Sequence, residues 1–425
     1  MNVKFLPRRT TAVITMLALS AALVSAPLSA AAAPADPAGP SAAALTRADR
    51  GALLSVTPVA QMSVDDVKAA LAEIPFDSPH IRYGVRAYRV EYRTIDTAGR
   101  PTIASGLVVF PDRGGHRSPG NRLPVVVYEH GTRADRNTVA SMVGNNGDRE
   151  TAVLFASAGY AAVAPDYLGL GTGTGNHPYM HAESAVTASI DLLDAAARLG
   201  DRQGLKLDSS VRVTGFSQGG PAAMALGRAL QRGDDGRWRL AALAPISGPY
   251  DVQHAELPAL LDPNSEADMN PVSGMFYVAY WTVSMNRLYH LYDSPSEVFR
   301  APYDERVEQL FDGYHDEATM IANLPGTPTD LLTPEYIQRA LNPTGALREA
   351  LRDSDDTCQW RPRVPVRLYA ARGDRDVVIT NAEHCQQQLN AHGADVPLID
   401  VGSVEHLESA NRSIPRVLDW FEQLR

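Results

Sequence analysis

The sequence predicts an α/β fold in which a mostly parallel central sheet, covered by helices on both faces, carries a helical cap insertion. Three observations lead there. Short apolar runs alternate with amphipathic helical segments through most of the chain, and that order builds a parallel, helix-covered sheet. A strictly alternating hairpin pattern opens the sheet, and about a hundred residues from Pro249 to Asp353 lose the strand rhythm.

The N-terminus has the makings of an export signal. Lys4, Arg8 and Arg9 precede an apolar run from Ala12 to about Leu28, and small residues from Ser29 to Ala35 offer A-x-A-like cleavage sites. At about 16 residues the run is short for a membrane span, so residues 1–35 are expected to be a signal peptide that is removed. The Arg8-Arg9 pair leaves a twin-arginine route open, and export implies a secreted, extracellular protein. Residues 36–60, which begin rich in Ala and Pro, are expected to be a flexible leader. The core is then divided into 61–248 and 354–425 by the cap, 249–353.

Within the first core segment, Ile81 to Pro111 alternates apolar and polar residues on both sides of Thr97-Ala-Gly-Arg-Pro101, so it forms antiparallel strands around a turn. "PVVVYEH" (124–130), the helical "ETAVLFASAG", "YAAVAPD" (160–166), the helix "ESAVTASIDLLDAAARLG", "SVRVTGF" and the helix "PAAMALGRALQRG" follow as strand and helix in turn. "RLAALAPIS" (239–247) ends this segment. After the insertion come "VPVRLYAARGD" (364–374), "VPLIDVG" (396–402) and a closing helix through "RVLDWFEQLR".

Composition excludes some classes of function. A net charge of -10 over 425 residues, with no basic cluster beyond the first ten, leaves no concentrated positive field for nucleic acid. The two cysteines, Cys358 and Cys385, are an even pair in an exported chain and are expected to form a disulfide; they lack the companion ligands of a zinc site.

The chemistry centres on "TGFSQGG". A G-x-S-x-G pentad arises by chance in roughly one chain in ten of this length, so its context decides. Here it follows a strand and opens a helix whose first turn holds Pro221, where a missing N–H costs nothing. Gly215 and Gly219 remove side chains that would collide on so sharp a turn, and Ser217 would project over the helix N-terminus as a nucleophile. A serine hydroxyl needs a base, and the base an orienting carboxylate, both at the C-terminal ends of strands and in the order Ser, acid, His. After "VPVRLYAA" the loop "RGDRDVV" offers Asp374 and Asp376, of which the Gly-x-x-Asp spacing favours Asp376. After "VPLIDVG", His406 is the histidine between the last strand and the final helix. The oxyanion hole is expected from the N–H groups of Gln218 and Thr132, with Gly131 allowing the turn.

These residues together resemble the α/β-hydrolase superfamily. "VVYEHGT", "APDYLGLG" with "HPYMHA", "TGFSQGG" and the helical insert resemble exported bacterial esterases and lipases related to the secretory lipase family, over about residues 80 to 425. The resemblance implies an α/β-hydrolase fold, carboxylic ester hydrolysis through an acyl-enzyme, and no metal or organic cofactor. The expected partner is a small-molecule or lipid ester, with transient contact at a lipid surface; a peptidase or acyltransferase of the same fold, or an inactive binding protein, is the alternative. The cap aromatics from Phe276 to Tyr292, Tyr280 and Trp281 above all, are expected to line the substrate pocket. Asp166 to Ala182 has the look of a rim loop to which the residues alone assign no role.

Overall fold

The structure, a computed structural model, describes residues 45–72, 80–114, 122–142 and 147–425. The expected signal peptide and the first part of the leader lie outside the described residues. Nine strands form one sheet: β1 (Leu53–Met62), β2 (Gly84–Ile95), β3 (Pro101–Asp112), β4 (Leu123–Glu129), β5 (Ala161–Pro165), β6 (Leu207–Phe216), β7 (Arg239–Ile246), β8 (Leu368–Ala370) and β9 (Leu398–Asp400). Their spatial order is β1-β2-β3-β5-β4-β6-β7-β8-β9. The first three strands are antiparallel, as is the junction of β3 with β5, and every pairing from β5 through β9 is parallel.

The hairpin of β2 and β3 turns where its pattern breaks. Asp96 accepts the N–H groups of Ala98 and Arg100, both at 2.9 Å, and Gly99 takes a left-handed φ of 76°. The expected leader needs correcting here, because Leu53–Met62 is not a flexible segment. It pairs antiparallel with β2, Val56 facing Val90. Its Pro58 sits on the outermost strand, where a missing N–H leaves no ladder bond unmade.

In the parallel strands successive side chains feed two different cores. Val125 and Val127 of β4 and Val211 and Val213 of β6 join one with helices α3 (Ala182–Arg202) and α4 (Gly219–Arg232). Val126 and Tyr128 point the other way, toward α1 (Val64–Ala72) and α2 (Asp148–Ser157). The interrupted segment 249–353 is helical throughout its regular parts and has its own core. It holds α5 (Leu257–Leu261), α6 (Pro271–Tyr289), α7 (Val307–Leu310), α8 (Glu317–Ala322), α9 (Pro328–Leu331), α10 (Pro334–Leu341) and α11 (Gly345–Asp355). Asn270 starts α6 by accepting the N–H groups of Val272 and Ser273, with Pro271 in the first position, and left-handed His290 ends it.

After β8 comes α12 (Thr380–Ala391), and the chain closes with α13 (His406–Gln423). The final helix was expected to begin after His406, but it starts at His406 and carries Pro415 inside. Ile414, Val417, Leu418 and Phe421 all bury into the second core, and that apolar stripe outweighs the single backbone bond the proline removes. Among the described residues no helix is long and apolar enough to cross a membrane.

Cys358, in a short turn after α11, is bonded to Cys385 of α12, their Cα atoms 5.3 Å apart. The bridge ties the end of the insertion to the helix that follows the acid loop. Closing a loop with a sequence separation of 27 residues should contribute roughly 3 kcal/mol by restricting the unfolded chain. Thiol titration of the denatured, unreduced protein should find no free thiol, and Cys385→Ser should lower the unfolding free energy by about that amount; two reactive thiols would contradict the bridge.

Candidate active site

β6 runs into α4 through a two-residue elbow, and Ser217 sits in it with φ 56°. Left-handed backbone costs a non-glycine residue roughly 1–3 kcal/mol, so its neighbours must enforce it. They do so on both sides. Ser217 donates its N–H to the Ile246 carbonyl at 3.0 Å, and its own carbonyl accepts from Gly220 at 2.7 Å. A Cβ on Gly215 would lie 2.1 Å from the Gly219 oxygen, and one on Gly219 would lie 2.0 Å from the Glu129 oxygen. Only glycine fits at either position.

His406, the first residue of α13, is buried with its ring against Phe216, centroids 4.5 Å apart. The ring therefore adjoins the residue that leads into Ser217. Its Nδ1 donates to Asp374 Oδ2 at 2.7 Å. That bond fixes the tautomer and leaves Nε2 as the basic nitrogen, without a hydrogen-bond partner among the described residues.

The carboxylate that meets His406 is thus Asp374 and not Asp376, the one expected from spacing. The reason is a turn. Asp374 Oδ1 accepts the N–H groups of Asp376 at 3.0 Å and Val377 at 2.9 Å, and this carboxylate-capped turn swings Asp376 away from the histidine. At Gly373 the loop after β8 crosses the loop after β9 so closely that a Cβ would meet Ser403 and Val404 backbone atoms at 2.7 Å. Asp374 follows directly and meets His406. Asp376 instead accepts a long hydrogen bond, 3.4 Å, from the Tyr277 hydroxyl of α6.

Gly131 brings the loop after β4 against the elbow, where an added Cβ would lie 3.4 Å from Ser217 Cβ. The next residue, Thr132, lines the same cavity as Ser217. Neither Gln218 nor Thr132 donates its backbone N–H to a protein acceptor among the described residues. The segment from Asp166 to Ala182 turns out to support both. Its His177 donates from Nδ1 to the Leu168 carbonyl at 2.9 Å and so accepts the Gln218 side-chain amide on Nε2 at 2.8 Å. Burial holds that imidazole down to about 3, and it stays neutral. Its Tyr179 hydroxyl meets Thr132 Oγ1 at 2.8 Å. Asp166 anchors the segment by accepting from Ser105 and Ser141, at 2.6 and 2.5 Å.

The cavity beside Ser217, ≈ 70 Å³, is walled by Tyr179, Met180, Val252, Leu257, Val278 and Trp281, with Glu256, Tyr277 and Asp376 at its polar side. Of the two cap aromatics singled out in the sequence, Trp281 lines this cavity. Tyr280 does not. It faces the other side of α6, stacked between Tyr179 at 4.2 Å and Phe311 at 4.9 Å, and donates to the Arg133 carbonyl. Among the described residues no group of His, Cys, Asp and Glu is placed to hold a metal ion.

No family model and no curated protein matches the sequence. Solved structures do. The rice cell wall degrading esterase LipA of Xanthomonas oryzae superposes with a TM-score of 0.79 at 29% identity, over 88% of this chain and all of that one. A protein of Legionella pneumophila provisionally assigned as a hydrolase gives 0.78 at 27%, over 88% of this chain and 98% of its own. Candida antarctica lipase A gives 0.59 at 15%, over 85% and 78%, a likeness of fold alone. The chain has the α/β-hydrolase fold.

One group of this α/β-hydrolase site escaped the sequence reading. Glu129, at the end of β4, is fully buried under the elbow; Oε1 accepts from Ser189 at 2.7 Å, and Oε2 has no partner among the described residues. A lone carboxylate inside an apolar strand was the available signal. Burial pushes its carboxyl up to about 7. Because the folded value is raised, the unfolded chain loses its proton first as pH climbs, and stability falls between about pH 4.5 and 7. The fall should total about 3 kcal/mol at 1.36 kcal/mol per unit. Urea unfolding of Glu129→Gln should show that this part of the pH dependence is gone, whereas an unchanged slope would contradict a protonated Glu129.

Proposed function

We propose that the protein is an exported serine hydrolase that cleaves carboxylic esters of short acyl chains through Ser217, His406 and Asp374. The observation that carries this is the buried His406–Asp374 hydrogen bond, which leaves a basic Nε2 at the elbow of a left-handed serine. The esterase of Xanthomonas oryzae, alike over nearly nine-tenths of the chain, supports ester hydrolysis as the reaction. A disulfide and the basic-then-apolar N-terminus support export.

In the reaction, His406 Nε2 takes the Ser217 proton as Oγ attacks the ester carbonyl. Asp374 holds the imidazolium that forms. The Gln218 and Thr132 N–H groups receive the charge on the carbonyl oxygen, and His406 returns its proton to the departing alkoxide, leaving an acyl-serine and a free alcohol. Water then gives a proton to His406 and attacks the acyl-serine. The acid departs, and Ser217 regains its proton. The acyl pocket is short. The cavity is only ≈ 70 Å³ and Trp281 forms part of its wall, so the cavity limits the acyl length it can hold.

Ser217→Ala should lower kcat by on the order of 10⁴ or more with the fold kept. Asp374→Asn should impair turnover far more than Asp376→Asn, and the reverse order would return the orienting role to Asp376. With p-nitrophenyl esters, kcat/KM should rise to an acyl length of about four to six carbons, gaining up to ~0.8 kcal/mol per methylene, then drop. Trp281→Ala should move the optimum to longer chains and Tyr280→Ala should only cost stability; equal length profiles in all three proteins would remove Trp281 from the pocket wall.

A further inference from the structure

The cavity beside Ser217 is walled mostly by apolar side chains, and two carboxyl groups from different parts of the chain also line it. Glu256 comes from the turn that opens the helical insertion, and Asp376 from the loop after β8. Each is only partly engaged. Glu256 Oε1 accepts from the Val378 N–H at 3.1 Å and from the Asn381 side-chain amide, and no partner among the described residues takes Oε2. Asp376 Oδ2 receives only the long Tyr277 bond, and Oδ1 has no partner among the described residues. Both residues are half-buried and form part of the cavity wall, so these oxygens have the cavity to face. No Lys, Arg or His lines that wall.

We infer that Glu256 and Asp376 determine acyl specificity, admitting groups that end in a hydrogen-bond donor, hydroxyl or ammonium, and rejecting groups that end in a carboxylate. The inference rests on Ser217 being the nucleophile of an ester hydrolase. Its physical basis is desolvation with like charge: an anionic acyl end would exchange water for apolar walls and the Asp376 carboxylate, with Asp374 close behind and no cation in the cavity wall to offset them. The site resists a second negative charge even in its own side chains. Burial, then the Asp374 carboxylate, pushes Glu256 up to about 8. A hydroxyl or ammonium end meets the opposite situation, because carboxyl oxygens in the cavity wall accept from it.

The dependence on chain position also explains why Asp376 lies so near the catalytic acid without touching His406. The turn capped by Asp374 delivers one carboxylate to the histidine and the other to the pocket. A single loop thus serves orientation and selection.

The test compares matched methyl esters by pH-stat at neutral pH: methyl valerate, its ω-hydroxyl and ω-ammonium analogues, and monomethyl glutarate. Wild-type kcat/KM should be at least as high for the donor-bearing esters as for methyl valerate, and roughly 100-fold lower for monomethyl glutarate. The Glu256→Gln/Asp376→Asn protein should narrow that last gap to under about 10-fold. Wild-type turnover of monomethyl glutarate within about 3-fold of methyl valerate, or an unchanged gap in the folded variant, would overturn the inference. Wild-type protein alone gives a second reading if the variant fails to fold: n-butylammonium should inhibit methyl valerate hydrolysis at a roughly 10-fold lower concentration than butyrate, and the reverse order would overturn it. If the wild type hydrolyses none of the esters, ester hydrolysis itself fails; turnover without charge discrimination sinks only the specificity.

Discussion

The left-handed backbone at Ser217 is the constraint on which the site depends. It can persist only if three strands hold their relative heights, because the elbow is gripped from both sides: Ile246 at the end of β7 binds its N–H, and Glu129 at the end of β4 closes over Gly219. The parallel register of β4, β6 and β7 sets those heights. Glu129 lies opposite Gly215, and Phe216 opposite Ile246. Two cores, one on each face, clamp the three strands, so the packing of Val125 or Leu243 bears on the conformation of a serine at the strand ends.

Around that fixed point the remaining parts arrive from distant segments, each with its own device for positioning. Gly131 brings Thr132 beside the elbow, Gly373 lets the loops after β8 and β9 cross, and the crossing sets Asp374 against His406. The segment from Asp166 to Ala182 acts beneath them as a brace. It touches the Gln218 side chain through His177 and the Thr132 hydroxyl through Tyr179, so both proposed oxyanion donors are held by neutral hydrogen bonds that ionisation cannot disturb near neutral pH.

Much of this was legible in the sequence where a periodic pattern or a backbone requirement carried it. Alternation gave the hairpin and the parallel strands, and the glycines around Ser217 gave the elbow, because both follow from local sterics. What could not be read depended on direction rather than position. Spacing after the strand favours Asp376 over Asp374, and only a side chain capping its own turn decides which one reaches the histidine. Likewise α6 is apolar all round, from Gly274 to Met285, so periodicity cannot say that Trp281 faces the cavity while Tyr280 faces Tyr179 and Phe311. Pro415 lies in the interior of the final helix, because four large apolar residues on one stripe outweigh one lost bond.

The account stands or falls on Ser217 forming a covalent bond to the acyl group. Incubation with a fluorophosphonate, followed by peptide mapping by mass spectrometry, tests this most directly, since the reagent is attacked only by a serine whose proton has a base to go to. The account predicts one label per chain, carried by the peptide containing Ser217 and lost in the His406→Ala protein. A label on another residue, or an unlabelled protein that still hydrolyses esters, would contradict it.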